Sequence, residues 1–122
     1  MNNIRGIKGA TTVDANTEND IESATIELLK EMLQKNHFET KDISHVIFTL
    51  THDLNAGFPA KYARLILNWD NVPMICTHEI PVPNSLEKCI RVLIVINTKL
   101  EQKDIKHIYL NGAKALRPDL IK

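Results

Sequence analysis

The segment CIRVLIVINT, from Cys89 to Thr98, is the sequence feature that most restricts the fold of this chain. Every residue from Val92 to Ile96 is apolar, whereas a strand with one face in water alternates apolar and polar residues. Both faces of this strand are therefore expected to be covered. The length of 122 residues suits one domain with a modest core, and we expect a single domain over residues 1–122.

Weaker patterns predict the remaining elements. A capping motif at Thr17 and apolar residues at helical spacing predict a helix that ends near Asn36. Pro59 suits the first turn of a second, short helix. Alternation and turn residues predict further strands. The expected ranges are strands at 4–13, 44–52 and 72–80, the short helix at 58–69, and a fifth segment at 106–118 that turns at Asn111 and Gly112.

Two helices, one of them short, cannot cover both faces of such a sheet. Large apolar faces open to water are disfavoured, so we infer an oligomer in which sheets pack against sheets. Glycines at positions 6 and 9 of the first strand are expected to allow close approach of another backbone or a ligand.

The charge balance gives no sign of a function that depends on a large net charge. Fifteen basic and fifteen acidic side chains give a formal net charge of zero, which does not suggest a nucleic-acid or membrane surface. The amino terminus contains no apolar targeting segment, and no segment is long enough to span a bilayer. We therefore expect a cytoplasmic protein with no nucleic-acid or membrane partner, and with Cys76 and Cys89 reduced.

The segment ICTHEI, from Ile75 to Ile80, places a thiol, an imidazole and a carboxylate within four residues. The histidines and cysteines show no paired spacing typical of a metal site, so no metal is expected. Strand alternation puts Cys76 and His78 on one face, but side chains two apart stand roughly 6 to 7 Å apart. A structural thiol beside a solvent-facing histidine is favoured over a nucleophile and its base.

Arg91 opens the apolar strand and needs an anionic partner if its side chain faces inward. A salt bridge to Glu79 is the favoured interpretation. Lys61 and Arg64 share a helix face that is expected to be solvated, and Arg117 alone suggests ordinary surface.

Six segments together resemble the short monofunctional chorismate mutases of the trimeric Bacillus type. The similarity runs from about residue 4 to residue 120 and is carried by IRGIKGATTV, FPAKYAR, VPMICTHEI, KCIRV, IYL and LRPDL. The resemblance implies an α+β domain with a mixed β-sheet and two main helices, assembled as a trimeric pseudo-α/β barrel with active sites at subunit boundaries. It also implies rearrangement of chorismate to prephenate, in the pathway to Phe and Tyr, without a cofactor or metal.

The resemblance assigns catalytic roles to Arg91, beside the ether oxygen, and to Glu79 and Cys76, near the ring hydroxyl. Substrate-binding positions follow at the pocket mouth, at the carboxylates and in the carboxyl-terminal segment that covers the site. They are Lys8, Phe58, Ala60, Lys61, Arg64, Tyr109, Leu116 and Arg117. Lys8 departs from the family, which has an arginine there; a point charge replaces a planar fork, and poorer binding or a slower enzyme is expected.

Alternation places Cys76 and Glu79 on opposite faces of the third strand, although the family uses both. A bulge or strand end near Thr77 is expected to resolve this. Two other functions remain open on the sequence: an imine or enamine deaminase of the same general architecture, and a non-catalytic trimeric protein that binds a small carboxylate.

Overall fold

The apolar run at Cys89–Thr98 forms the central strand of the sheet. The structure is a computed structural model that describes residues 2–118, and within that range it contains one five-stranded sheet and two α-helices. The elements are β1 (Asn3–Thr12), α1 (Glu18–Asn36), β2 (Ile43–Leu50), α2 (Pro59–Ile66), β3 (Met74–His78), β4 (Cys89–Thr98) and β5 (Ile108–Tyr109).

The sheet is mixed, with strand order β3-β2-β4-β1-β5. β4 pairs antiparallel with β1 on one side and β2 on the other, whereas the outer pairs β2–β3 and β1–β5 are parallel. In this register Arg91 lies opposite Ala10 on one side and Thr49 on the other. The α+β architecture expected from the sequence is confirmed.

One face of the sheet is covered by both α-helices. Ile94 and Ile96 of β4 are fully buried there with Leu29 and Met32 of α1. Gly9 allows this contact, because a β-carbon at that position would lie 2.4 Å from the Met32 sulfur. The close approach expected at Gly9 is therefore made by helix side chains, and burial of this face supplies most of the core.

The other face is not covered by α1 or α2. Leu93 and Val95 of β4 are only partly buried on it, and Ile75 and Ile4 are 62% and 70% exposed. The prediction that the two helices cannot cover both faces is thus confirmed for the described residues. We call this surface the open face.

The ends of the helices follow from local residues. The Thr17 side chain accepts a hydrogen bond from the Asp20 backbone N–H at 3.2 Å, which caps α1 as predicted. His37 ends α1 in the left-handed conformation. α2 begins at Pro59 as expected but ends at Ile66, earlier than predicted, and Asn68 adopts a left-handed φ of 60° soon after.

Two predicted strands are shorter than expected. β3 covers only Met74–His78, and it begins after Pro73, which has no N–H to donate to the β2–β3 pairing. The fifth segment pairs only at Ile108 and Tyr109 and then forms a 3₁₀ helix at Asn111–Leu116. Asn111 has a φ of 53°, so the chain turns where the sequence predicted.

Both cysteines are free, as expected, with Cys89 buried and Cys76 half-buried. Among residues 2–118, neither α1 nor α2 combines the length and the apolar composition that a membrane-spanning helix requires.

Candidate active site

Arg91 and Glu79 form a bidentate ion pair on the open face. Arg91 Nε donates to Glu79 Oε2 at 2.9 Å, and Nη2 donates to Oε1 at 2.8 Å. Parallel bonds of this kind fix both position and orientation of the two groups. The predicted salt bridge is confirmed. Glu79 directly follows β3, so its side chain reaches across β2 to β4.

Thr49 of β2 completes this contact. It lies opposite Arg91 in the β2–β4 register, and its hydroxyl donates to Glu79 Oε2. The Glu79 backbone N–H donates to the Leu50 carbonyl at 2.8 Å. Sequence analysis missed Thr49, because its role depends on a strand register that one sequence does not reveal.

The ion pair sets the charge state of both groups. Hydrogen bonding from Arg91 lowers the pKa of Glu79 below its ordinary value of 4.5, although burial opposes the shift, and Thr49 adds to the lowering. The bond to Glu79 raises the pKa of Arg91. A cation and a carboxylate therefore persist side by side at neutral pH.

Arg91 and Glu79 line a cavity that we call the arginine pocket. Its other walls include Lys8 of β1, Thr49 and Ile47 of β2, and Tyr109 of β5. The Arg91 side chain is 44% exposed and the Glu79 side chain 17% exposed. Part of the guanidinium therefore remains accessible to an anionic group of a ligand.

Lys8 is exposed at the edge of the arginine pocket, and its backbone is held by His107. The Lys8 N–H donates to His107 Nδ1 at 3.0 Å. Burial lowers the pKa of His107, and the charges of Lys8 and Arg117 lower it further. This histidine is therefore a neutral hydrogen-bond acceptor at pH 7. No motif in the sequence indicated this role.

Cys76 lines a different cavity, which we call the cysteine pocket. Its walls also include Phe58, Lys61, His78, Glu18 and Leu54. The Ala60 backbone hydrogen-bonds to the Cys76 thiol, and burial raises the pKa of that thiol above its ordinary value. Cys76 is consequently a neutral thiol rather than an activated nucleophile.

The start of α2 forms the rim of the cysteine pocket. Phe58 is 69% exposed, and Arg64 is exposed one turn after Lys61 along the helix. Lys61 Nζ lies 3.9 Å from Glu18 Oε2. Gly57 precedes this helix above the buried Tyr62, and a β-carbon at position 57 would lie 2.1 Å from the Tyr62 hydroxyl oxygen. The rim thus depends on a residue without a side chain at position 57.

The two pockets share no lining residue over the part of the chain that the structure describes. The β2–β3 register runs without a shift from Val46 opposite Met74 to Leu50 opposite His78. Thr77 therefore lies in regular pairing, and the bulge considered there is not observed. β3 ends at His78, but Cys76 faces the helices and Glu79 faces the open side.

The 3₁₀ helix places Leu116 near the arginine pocket. Leu116 is 38% exposed and borders a groove together with Glu79, Arg91 and Ile80. Arg117 follows it and contributes to the electrostatics at His107. Asp119 and Leu120, the last residues of the LRPDL segment, lie outside the described residues.

Comparison with known proteins assigns the chain to one group. The family described as chorismate mutase type I matches residues 4–120. Chorismate mutase AroH of Bacillus subtilis is 43% identical over 117 residues, which cover 96% of this chain and 92% of the relative. Chorismate mutase AroH of Thermus thermophilus is 46% identical over 118 residues, 96% of both chains. The solved chorismate mutase from Clostridium thermocellum is 54% identical with a TM-score of 0.88, over 90% of this chain and 97% of that one.

Proposed function

We propose, from the premise that the chain belongs to the chorismate mutase type I family and so rearranges chorismate to prephenate, that Arg91 and Glu79 form the centre of its active site. The family match confirms the resemblance read from the sequence motifs, and it does not favour a deaminase or a non-catalytic binding protein. The observation that carries the proposal is the bidentate pair, which holds a half-exposed guanidinium in a fixed orientation inside a pocket.

The chemistry of the rearrangement explains why such a cation is needed. The reaction is a unimolecular pericyclic step in which the carbon–oxygen bond breaks ahead of carbon–carbon bond formation. The ether oxygen becomes more negative and the ring fragment more positive. Arg91 would therefore stabilise the ether oxygen more in the transition state than in the ground state, and only such differential binding lowers the barrier.

Glu79 would perform two tasks. Its carboxylate holds the Arg91 guanidinium in place, and its negative charge would oppose the positive charge that develops on the ring fragment while it accepts a hydrogen bond from the ring hydroxyl. The lowered pKa of Glu79 keeps the carboxylate ionised at neutral pH. A general base and a nucleophile are not required, so the neutral Cys76 thiol would serve only as a hydrogen-bonding group.

The remaining polar groups would bind and fold the substrate. Lys8 and Tyr109 in the arginine pocket and Arg64 on α2 would hold the two carboxylates, so that the enolpyruvyl arm lies over the ring. Holding one conformer removes an entropic cost from the barrier. Leu116 and Arg117 would cover the site from the carboxyl-terminal side.

We further propose that the active site is completed at a subunit boundary of a homotrimer. The arginine pocket and the cysteine pocket share no lining residue, and Cys76 and Glu79 lie on opposite faces of the sheet. The predicted site residues Phe58, Ala60, Lys61, Arg64 and Cys76 therefore lie apart from Arg91 in one chain. A neighbouring subunit could supply its cysteine-pocket residues to the arginine pocket. The uncovered apolar residues of the open face, among them Ile75 and Leu93, support such assembly.

The proposal is tested by following the loss of ultraviolet absorbance of chorismate with purified protein, with prephenate identified as product. We expect turnover well above the spontaneous rate and a trimer by sedimentation. A cytoplasmic location fits the pathway and is tested by cell fractionation. A folded protein that binds chorismate without converting it would contradict the proposed roles and favour a carboxylate-binding function.

A further inference from the structure

Two histidines that the proposed mechanism does not use lie next to Glu79. The rings of His52 and His78 stack with their centroids 4.7 Å apart and an interplanar angle of 25°. His52 Nε2 lies 3.0 Å from the Glu79 carbonyl oxygen. Because a carbonyl oxygen can only accept, the His52 Nε2–H is the donor in this bond.

The contact matters because of the position of Glu79 in the chain. Glu79 is the first residue beyond β3, and the chain then leaves the sheet through the exposed Ile80 and Pro81. A residue at a strand end lacks the continuous pairing that fixes residues inside the strand. Its side chain must nevertheless reach across β2 and meet Arg91 in two parallel bonds.

The main chain of Glu79 is held at two points, by Leu50 at the end of β2 and by His52 in the loop that follows. Its N–H donates to the Leu50 carbonyl at 2.8 Å, and its carbonyl accepts from His52. His78 precedes Glu79 and packs its ring on the ring of His52. The stack therefore links the residue before Glu79 to the side chain that holds the Glu79 carbonyl.

We propose that His52 and His78 are positioning residues that fix the backbone of Glu79, and through it the Glu79 carboxylate, in the geometry required by the rearrangement. This inference rests on the proposed role of Glu79. His52 and His78 need not touch the substrate, and their effect would pass through the Glu79 carboxylate and its bonds to Arg91 and Thr49.

The experiment compares two substitutions of His52. His52→Phe keeps a ring to stack on His78 but has no donor, whereas His52→Gln restores an N–H near the position of Nε2. We expect His52→Phe to lower kcat about three- to tenfold, the rate equivalent of one ordinary hydrogen bond, with KM for chorismate changed less than about twofold. His52→Gln should recover part of the lost kcat, because it restores the donor but not the ring that stacks on His78. His37→Asn is the matched control, because His37 is an exposed left-handed cap and asparagine adopts that conformation readily.

A second comparison separates positioning from a general structural effect. In a Glu79→Ala background, His52→Phe should lower kcat no further, because the carboxylate that His52 positions is absent. An equal loss in both backgrounds, an unchanged kcat in His52→Phe, or no recovery in His52→Gln would overturn the inference. If His52→Phe does not fold, His78→Ala and His78→Phe are compared instead. A lower kcat in His78→Ala alone supports the stack, because phenylalanine keeps a ring at position 78. Equal kcat values in the two variants contradict it.

Failure of the proposed function gives a different result. The unsubstituted protein would then not convert chorismate, or Glu79→Ala would keep full activity whatever residue occupies position 52. Loss of activity in Glu79→Ala together with an indifferent His52→Phe would leave the proposed function intact and reject only the histidine stack.

Discussion

The Glu79 carboxylate crosses β2 and accepts two hydrogen bonds from Arg91 of β4, from Nη2 at 2.8 Å and from Nε at 2.9 Å. Thr49 of β2, the strand between them, donates to the same carboxylate. Two neighbouring strands, β2 and β4, thus donate to one carboxyl group, which holds the cation proposed to act in the reaction. Strands within a sheet are more rigid than loops, and a preorganised charge costs no reorganisation when the substrate reacts.

Arg91→Ala should abolish most chorismate mutase activity while the protein stays folded. Loss of one preorganised donor costs about 10²- to 10³-fold in rate, and a charged donor can cost more. The measurement is kcat with circular dichroism and sedimentation as tests of folding. Lys103→Ala, at an exposed position in a short 3₁₀ helix, serves as the control. A folded Arg91→Ala variant with near-normal kcat would remove Arg91 from the mechanism.

Lys8→Arg should raise kcat/KM for chorismate. Lysine keeps the charge at this edge of the arginine pocket but lacks the planar fork that pairs with a carboxylate through two bonds. A gain of a few-fold is expected, on the order of one additional hydrogen bond. An unchanged or lower kcat/KM would indicate that the pocket around Lys8 is adapted to lysine.

Acid should remove part of the stability of the folded protein through Glu79. Its folded pKa is lowered from 4.5, chiefly by the bond from Arg91. Its contribution is therefore fully present above pH 4.5 and is lost as pH falls through the lower folded pKa. Urea unfolding from pH 7 to pH 3, at fixed protein concentration, should show the parent losing its advantage over Glu79→Gln. A difference that stays constant over this range would show that the pair does not contribute in this way.

Hybrid assemblies should recover activity if the site lies between subunits. Arg91→Ala impairs the arginine pocket, and Lys61→Ala impairs the cysteine pocket. In a random one-to-one mixture of these subunits, about a quarter of the boundaries would join two intact halves, because each boundary draws its halves from different subunits. The assay is mutase activity after joint refolding, with each variant refolded alone as control. Activity no higher than the mean of the two variants would place the whole site within one subunit.

The central part of the fold could be predicted from the sequence because local patterns determine it. The position of β4 follows from its apolar run at residues 92–96, and the start of α1 follows from the Thr17 cap. The turn at Asn111 was predicted, but the strand before it pairs only at Ile108 and Tyr109, and a 3₁₀ helix at Asn111–Leu116 follows it. Local propensity does not show at which residue a strand loses its pairing partner.

The candidate site was predicted only in part for a related reason. The Arg91–Glu79 pair could be inferred because a cation beside an apolar strand segment needs an anionic partner. Thr49 and His52 could not, because their contacts join residues 30 and 27 positions from Glu79 and depend on register and loop path. Sequence alternation did correctly separate Cys76 from Glu79, a separation that regular β2–β3 pairing maintains.

The contact of Gly57 with Tyr62 restricts the order in which this protein can change over generations. With tyrosine at position 62, any residue larger than glycine at position 57 would place an atom about 2.1 Å from the phenolic oxygen. A smaller residue at 62 must therefore appear first, and only then can 57 acquire a side chain. At the rim of the cysteine pocket, a substitution at position 62 followed by one at position 57 is tolerated, whereas the reverse order is not.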